Sequence, residues 1–252
     1  MPKFFAISDI HGFYDEMRAA LDNAGFDENN PDHWLVGCGD YFDRGQQPNK
    51  VMQYLYNLPR KILVRGNHEE LLVDCCKRGQ AWSHDISNGT AGTIWCIGFG
   101  CNDFDEMCDY TLKRTKPFLD SMVNYFETKN YIFVHSWIPV INKDGLPAHY
   151  TRERSFAFNP KWRNANKRDW SNARWGNPFD MAAQGLLPDK TVVFGHWHCS
   201  AGWAQAEGIS EFGPDAKFEP YYGNGFISID ACTAHSGKCN VVVLEDQFLE
   251  EQ

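Results

Sequence analysis

No stretch of this chain approaches 18 consecutive apolar residues, which excludes an ordinary membrane-spanning helix. The opening residues, MPKFFAISD, lack the apolar core of a secretory leader. No CxxC pair occurs, and nine cysteines form an odd set without framework spacing; Cys75 and Cys76 are adjacent. Reduced thiols in a cytoplasmic protein are therefore expected, most of them small core residues. Positive charge is also short, at 24 Lys and Arg against 33 Asp and Glu, a net −9. That balance speaks against stable nucleic-acid binding and against attachment to an anionic membrane.

Aromatic side chains are abundant at 15%, including nine Trp and eighteen Phe. Over 252 residues this supply supports a substantial core and argues against disorder. Charge is unevenly placed. Residues 151–175 hold seven basic and two acidic side chains, a local +5 that leaves −14 for the rest. A basic strip on an acidic chain fits a small anionic ligand or a solvated face.

Short apolar runs recur at 3–8, 33–38, 61–65, 131–135, 190–195, 226–230 and 240–245. They are continuous rather than alternating, which predicts strands covered on both faces. Helical spacing separates the first three. Phe13, Met17, Ala20, Leu21 and Ala24 share a face, with Gly25 as a C-cap. Pro48 opens a second helix, with Val51, Tyr54, Leu55 and Leu58 inward. Residues 69–78 form a third that stops at Gly79, and a fourth is expected to start near Pro117, with Phe118, Met122 and Phe126 inward. The last two strands, joined by ACTAHSGKC, are expected to form an antiparallel hairpin. The alternation predicts an α/β fold with ligands in the loops beyond the strand C-termini. No repeat or linker divides the chain, so 1–252 is expected as a single domain. Residues 79–116 and 142–188, rich in Gly, Asn and Trp, are expected as insertions over its active face.

Five polar clusters follow five of these runs: SDIHG (8–12), GDYFDRG (39–45), RGNHEE (65–70), VHSW (134–137) and GHWH (195–198). A lone Asp after a strand is usually a helix cap, and a lone His a structural one. Repetition at the same place in an α/β sheet changes that reading. Asp, Asn and His offer hard oxygen and borderline nitrogen donors, suited to Mn, Fe, Zn or Co. Six or seven such donors exceed the needs of one tetrahedral ion. Two ions about 3.5–4 Å apart, sharing a carboxylate, would use them all.

The set resembles the calcineurin-like metallophosphoesterases. GDYFDRG followed by RGNHE looks like their phosphoprotein phosphatase branch, with its bacterial and phage members. NGTAGT (88–93) resembles that branch's Asn-Gly-Gly loop, with Thr90 departing from the second Gly. The resemblance implies a four-layer αββα sandwich, two mixed sheets flanked by helices, and two divalent ions, Mn first, with Fe or Zn as alternatives. It assigns Asp9 and His11 to the first ion, Asp40 to both, and Asn67, His135 and His196 to the second. His198 matches the second histidine of the wider family's Gly-His-x-His motif, which turns to the first ion. Arg44 and Arg65 border the clusters and suit bidentate contact with phosphate. A further arginine is expected after His135; Arg174 is favoured, with Arg168 and Arg152 as alternatives.

The nucleophile implied is a metal-bridging hydroxide attacking in line, so no covalent phosphoenzyme is expected. His68 would protonate the leaving oxygen and Asp43 would orient it. Glu69 is read as a structural hydrogen-bonding group. The implied activity is hydrolysis of phosphomonoesters, foremost phosphoserine and phosphothreonine on proteins. A symmetrical diadenosine tetraphosphate hydrolase and a nucleic-acid phosphodiesterase stay open, as does a non-catalytic binding scaffold.

Overall fold

The computed structural model describes residues 1–143 and 156–249. In chain order they form β1 (Lys3–Ile7), α1 (Tyr14–Asn23), β2 (His33–Gly37), α2 (Pro48–Asn57), β3 (Lys61–Leu63), α3 (Asn67–Arg78), α4 (Ser83–Asn88), α5 (Thr90–Ile97) and α6 (Phe104–Asp120). Then come β4 (Phe126–Glu127), β5 (Tyr131–Phe133), β6 (Ile141–Asn142), β7 (Phe156–Ala157), α7 (Lys167–Ala173), α8 (Pro178–Ala183), β8 (Thr191–Phe194) and α9 (Cys199–Glu207). The chain closes with β9 (Tyr221–Gly223), β10 (Phe226–Ser228), α10 (Thr233–Ser236) and β11 (Val242–Glu245).

Two larger sheets have the orders β11-β1-β2-β3 and β4-β5-β8-β10-β9, and β6 and β7 form a separate antiparallel pair. Three neighbouring strands run parallel in each of the larger sheets: β1, β2 and edge strand β3 in the first, β5, β8 and β10 in the second. Antiparallel strands lie only at the edges, β11 beside β1, β4 beside β5 and β9 beside β10. Both sheets are therefore mixed.

Alternation of side chains along each strand divides the apolar residues among three cores. Phe4, Ala6 and Val36 of the first sheet meet Phe133, Val193 and Ile227 of the second, which makes the sheets face each other. Ile7, Leu35 and Leu63 point the other way, onto Met17, Leu21, Val51, Leu55 and Leu72 of the helices. Ile132, Val192, Phe194 and Phe226 point outward from the second sheet onto Trp170, Phe179 and Ala201. Helix, sheet, sheet and helix are the four layers expected. Strands with both faces covered explain the continuous apolar runs.

Three local expectations are corrected. The last two runs are not a hairpin. β10 pairs with β8 and β9 in the second sheet, while β11 crosses to pair with β1 in the first, Phe4 opposite Leu244. Ile227 and Val242 then meet across the sheet interface, which buries more apolar surface than a hairpin open on one face. Pro117 does not start a helix; it lies exposed in the last turns of α6. The start is Asp103, whose side chain accepts the Glu106 N–H at 2.9 Å, while Glu106 accepts the Asn102 N–H at 2.8 Å. Phe126 falls beyond this helix, in β4.

Residues 79–116, expected as an insertion over the active face, are largely helical, and Thr90 and Thr93 within them bond to Asp43. They fold into α4, α5 and most of α6, and Ile94, Ile97, Met107 and Cys108 join the core on the first sheet. The described part of 142–188 covers the second sheet with Trp162, Trp170, Phe179 and Met181. No helix among the described residues is long and apolar enough to cross a membrane.

Candidate metal centre

The loops after β1, β2, β3, β5, β8 and β10 converge at one end of the two sheets. Backbone hydrogen bonds zip the first two together: Asp9 N to Gly39 O at 3.1 Å, His11 N to Asp40 O at 2.9 Å and Gly12 N to Tyr41 O at 2.9 Å. Seven non-glycine residues among those described hold a left-handed backbone, and six of them are Asp9, His11, Asp40, Asp43, Arg44 and His196. Such a conformation costs of order 1–3 kcal/mol each and survives only where surrounding contacts impose it. Gly66 and Gly195 allow close approach: a Cβ at Gly66 would lie 2.1 Å from Asp40 Oδ1, and one at Gly195 1.8 Å from Ser8 Oγ and 2.1 Å from Asp9 Oδ2.

Asp40 is the hub. Its Oδ2 lies 3.8 Å from His11 Nε2 and 3.8 Å from His68 Nε2, and its Oδ1 lies 3.4 Å from His135 Nε2. Two groups of donors share it, His11–Asp40–His68 and Asp40–His135–His196, each with atoms within 4.8 Å of one another. Asp9 flanks the first group, its Oδ1 3.8 Å from His11 Nε2. Its other oxygen accepts from Ser8 Oγ at 2.5 Å and His196 N at 2.8 Å. Asn67 joins the second group through Oδ1, 2.7 Å from His135 Nε2.

The donor set fits divalent cations. The Nδ1–H of His11 donates to Phe42 O and that of His135 to Cys38 O, both at 2.8 Å, which leaves Nε2 as the lone-pair nitrogen. His11 Nε2 is buried without any partner, an orphaned acceptor aimed between two carboxylates. Burial, then the charge of Arg44, holds His11 well below the ordinary imidazole range, and burial with His196 does the same to His135. Burial lowers His196 to about 3. Neutral imidazoles are what a metal takes. Burial likewise pushes Asp40 up to about 7, and burial with the charge of Asp230 raises Asp9. Buried carboxylates whose charge is this costly call for a cation between them.

His68 behaves differently. Its Nδ1 meets Asp43 Oδ2 at 2.6 Å. Burial would lower it, but the Asp40 charge and the Asp43 hydrogen bond overcome burial and raise it to about 9. His68 thus holds a proton at the edge of the donor set.

The arginines divide. Arg44 is exposed, and its charge is near enough to steady the Asp9, Asp40 and Asp230 carboxylates. Arg65 donates through Nη2 to Leu119 O at 2.5 Å. Arg174 is only 5% exposed and is held by Arg65 O at 3.1 Å, Glu70 at 2.6 Å and Asn124 at 2.5 Å. Its guanidinium bolts α7 to the β3–α3 loop rather than standing open to a ligand. Arg168 is exposed on α7, and Arg152 lies outside the described residues. The basic strip is partly spent on ion pairs at the surface as well, since Arg163 pairs with Glu127 and Asp189.

His198 joins neither donor group. It stands at the N-terminal boundary of α9 and pairs through Nδ1 with Glu211 at 3.2 Å, with Phe212 against its ring. Two cysteines stand six positions before an arginine, Cys38 before Arg44 and Cys108 before Arg114, the spacing of a thiolate phosphate loop. Cys108 lies inside α6, and burial pushes both thiols up, so neither supplies a thiolate nucleophile.

Asp230 was missed. It is 2% exposed, follows β10 as Asp9 follows β1, and is pushed up to about 7 by burial. A strand ending in an acid was the available signal, hidden by reading 226–230 as strand throughout.

A four-layer sandwich that gathers Asp, Asn and His at its strand ends is the architecture of a metal-dependent hydrolase. Residues 2–200 match the family profile of the calcineurin-like phosphoesterases. The chain belongs to that family, whose members carry a dinuclear divalent metal centre. A "Bis(5'-nucleosyl)-tetraphosphatase, symmetrical" of Buchnera aphidicola subsp. Acyrthosiphon pisum (strain 5A) is 39% identical over 70 residues, 27% of this chain and 25% of the relative. The match thus spans a quarter of that protein's length. Among solved structures, a putative diadenosine tetraphosphatase aligns over 97% of this chain and 95% of its own, at 16% identity and a TM-score of 0.51. A cold-active protein-tyrosine phosphatase of a psychrophile, Shewanella sp., aligns over 97% and 76%, at 17% identity and 0.53. Both likenesses concern the fold.

Proposed function

We propose that this protein hydrolyses phosphomonoesters, foremost phosphoserine and phosphothreonine on proteins, with two divalent ions. Asp9, His11 and Asp40 would hold one, and Asp40, Asn67, His135 and His196 the other, with Mn the first candidate and Fe or Zn after it. When bound, such ions polarise the phosphoryl oxygens and lower the pKa of water to near neutrality. The observation that carries this reading is the His68–Asp43 contact at 2.6 Å beside an Asp40-centred donor set. Arg44, exposed at the rim, is placed to draw the phosphoryl group in. Asp43 keeps His68 Nδ1 occupied, so Nε2 is the nitrogen that faces the reaction. A water-derived oxygen forms the new P–O bond on the side opposite the leaving oxygen. The old P–O bond breaks, its electron pair stays on the leaving oxygen, and that oxygen takes the proton from His68 Nε2.

The test is release of phosphate from p-nitrophenyl phosphate and from phosphopeptides, with and without added Mn. Absence of metal-dependent release from either sinks the proposal. Metal-loaded protein without turnover on any phosphoester would return it to a binding scaffold.

A second reading, symmetrical hydrolysis of dinucleoside polyphosphates, is favoured by the name of the relative that is 39% identical over 70 residues. The first is preferred because two of the three phosphate arginines are engaged by the protein itself, which suits one phosphoryl group better than four. Nucleotide products resolved by chromatography decide between them. The nine free thiols fit a cytoplasmic setting.

A further inference from the structure

Thr90 stands where the resembled loop has glycine, and its side chain is fully buried. Its Oγ1 donates to Asp43 Oδ2 at 2.7 Å. The same oxygen meets His68 Nδ1 at 2.6 Å, and Asp43 Oδ1 has no partner. The Asp43 backbone is gripped from the same helix, its N–H donating to Thr93 Oγ1 at 2.8 Å while φ stands at +74°. Gly89 lets this helix approach so closely: its φ is +89°, and a Cβ there would lie 2.2 Å from Arg44 N.

These contacts have one consequence. A carboxylate can turn about its last torsion and present either oxygen to a donor, since that rotation is broad. Both donors here converge on one oxygen, and the Thr90 hydroxyl is the contact besides His68 that selects it. A carboxylate has no proton to give, so Thr90 can only donate to it. Glycine at this position would leave Asp43 held by its backbone and by His68 alone.

We propose that Thr90 is a positioning residue, whose hydroxyl locks the Asp43 carboxylate so that His68 is held with Nε2 towards the leaving oxygen. This rests on the reading of His68 as proton donor. Thr90 Oγ1 bonds to Asp43, which is not among the metal-ligand candidates, so its loss should leave metal content and KM alone and lower kcat. Its effect should also depend on the leaving group. Release of p-nitrophenolate needs little protonation, whereas release of a serine alkoxide needs it fully.

The experiment compares Thr90→Val, Thr90→Ser and His68→Asn in metal-replete full-length protein, on p-nitrophenyl phosphate and on a phosphoserine peptide. Thr90→Val is expected to lower kcat on the peptide by about 10–100-fold, a part of the roughly 10²–10⁴-fold that a general acid supplies, and much less on p-nitrophenyl phosphate. KM, bound metal and melting temperature should stay near wild type, and Thr90→Ser should restore turnover. Thr90→Ala serves in place of Val if the latter does not fold. Equal losses on both substrates without rescue by Ser would mean a merely structural role and overturn the proposal, as would wild-type turnover in Thr90→Val. His68→Asn separates the two levels. A leaving-group-selective loss in His68→Asn with none in Thr90→Val sinks only Thr90. A non-selective loss in His68→Asn sinks the proton-donor reading and Thr90 with it.

Discussion

The carboxylate of Glu69 accepts the backbone N–H of Asp40 at 3.1 Å. It also takes the N–H of Tyr41 at 2.9 Å and that of Gly66 at 2.8 Å. One fully buried side chain in the first turn of α3 therefore ties the loop after β2 to the loop after β3. Its three acceptor contacts explain a Glu here, since a shorter acid would lose reach. Glu69→Ala would orphan three buried N–H groups at about 1–3 kcal/mol each before relaxation. We expect a marked loss of stability in denaturant unfolding together with loss of bound metal. Glu69→Gln, which keeps one acceptor oxygen, should fall between. Wild-type stability in Glu69→Ala would refute the clamp.

Asp40 serves both donor groups, and His135 serves one. Asp40→Asn should therefore abolish most activity and lower bound metal towards none, whereas His135→Ala should weaken one ion only and retain about one per chain. Elemental analysis after metal-replete purification checks both. Equal, full occupancy in the two variants would contradict the shared carboxylate.

His68→Asn is expected to keep its metal and lose about 10²–10⁴-fold in turnover, as for removal of a general acid. Steady-state kinetics on a phosphopeptide, with metal content measured alongside, provides the check. Unchanged turnover would refute the role.

Arg44 is open to solvent, whereas Arg65 gives one of its nitrogens to Leu119 O. Arg44→Ala should raise KM by about tenfold, equivalent to roughly 1.4 kcal/mol of lost phosphate binding. Arg65→Ala should show a smaller KM effect and lower stability. The reverse ranking would assign the phosphate contact to Arg65.

Far from the site, Glu127 accepts from Arg163 at 2.9 and 2.5 Å and pairs with Lys190 at 2.7 Å. Burial would raise its carboxyl, but the hydrogen bonds from Arg163 and Lys190 outweigh burial and hold it below its ordinary 4.5. A carboxyl lowered in the folded state contributes stability above its unfolded pKa and loses it as pH falls through the folded one. Glu127→Gln should cost about 1–2 kcal/mol at neutral pH, reduced from a buried pair because Arg163 is partly exposed. The gap to wild type should narrow as pH drops below 4.5. A gap constant with pH in urea unfolding would refute this linkage.

The strand-end clusters were legible because each is local. A β-run, an acid or imidazole within two or three residues, and a turn are all written in consecutive letters. SDIHG shows this well. Asp9 and His11 looked like a cap and an incidental histidine, and four later clusters made them part of a site. Arg174 was legible as a residue but not in its role. Its partners Glu70 and Asn124 lie 104 and 50 positions away, and only the docking of α7 brings them to it. The closing strands misled for the same reason, since which sheet each joins depends on burial against strands far upstream.

What the sequence by itself determined is the kind of chemistry and its location along the chain, because ligand type and strand-end placement are short-range properties. Only the tertiary structure decided how those candidate ligands are shared and held. Asp40 became the hub, Thr90 and Glu69 became supports, Asp230 joined the buried acids, and His198 turned to Glu211. These outcomes rest on contacts between residues tens to hundreds of positions apart. Such contacts are set by how two sheets and their helices pack, and packing is a property of the whole buried volume rather than of any segment.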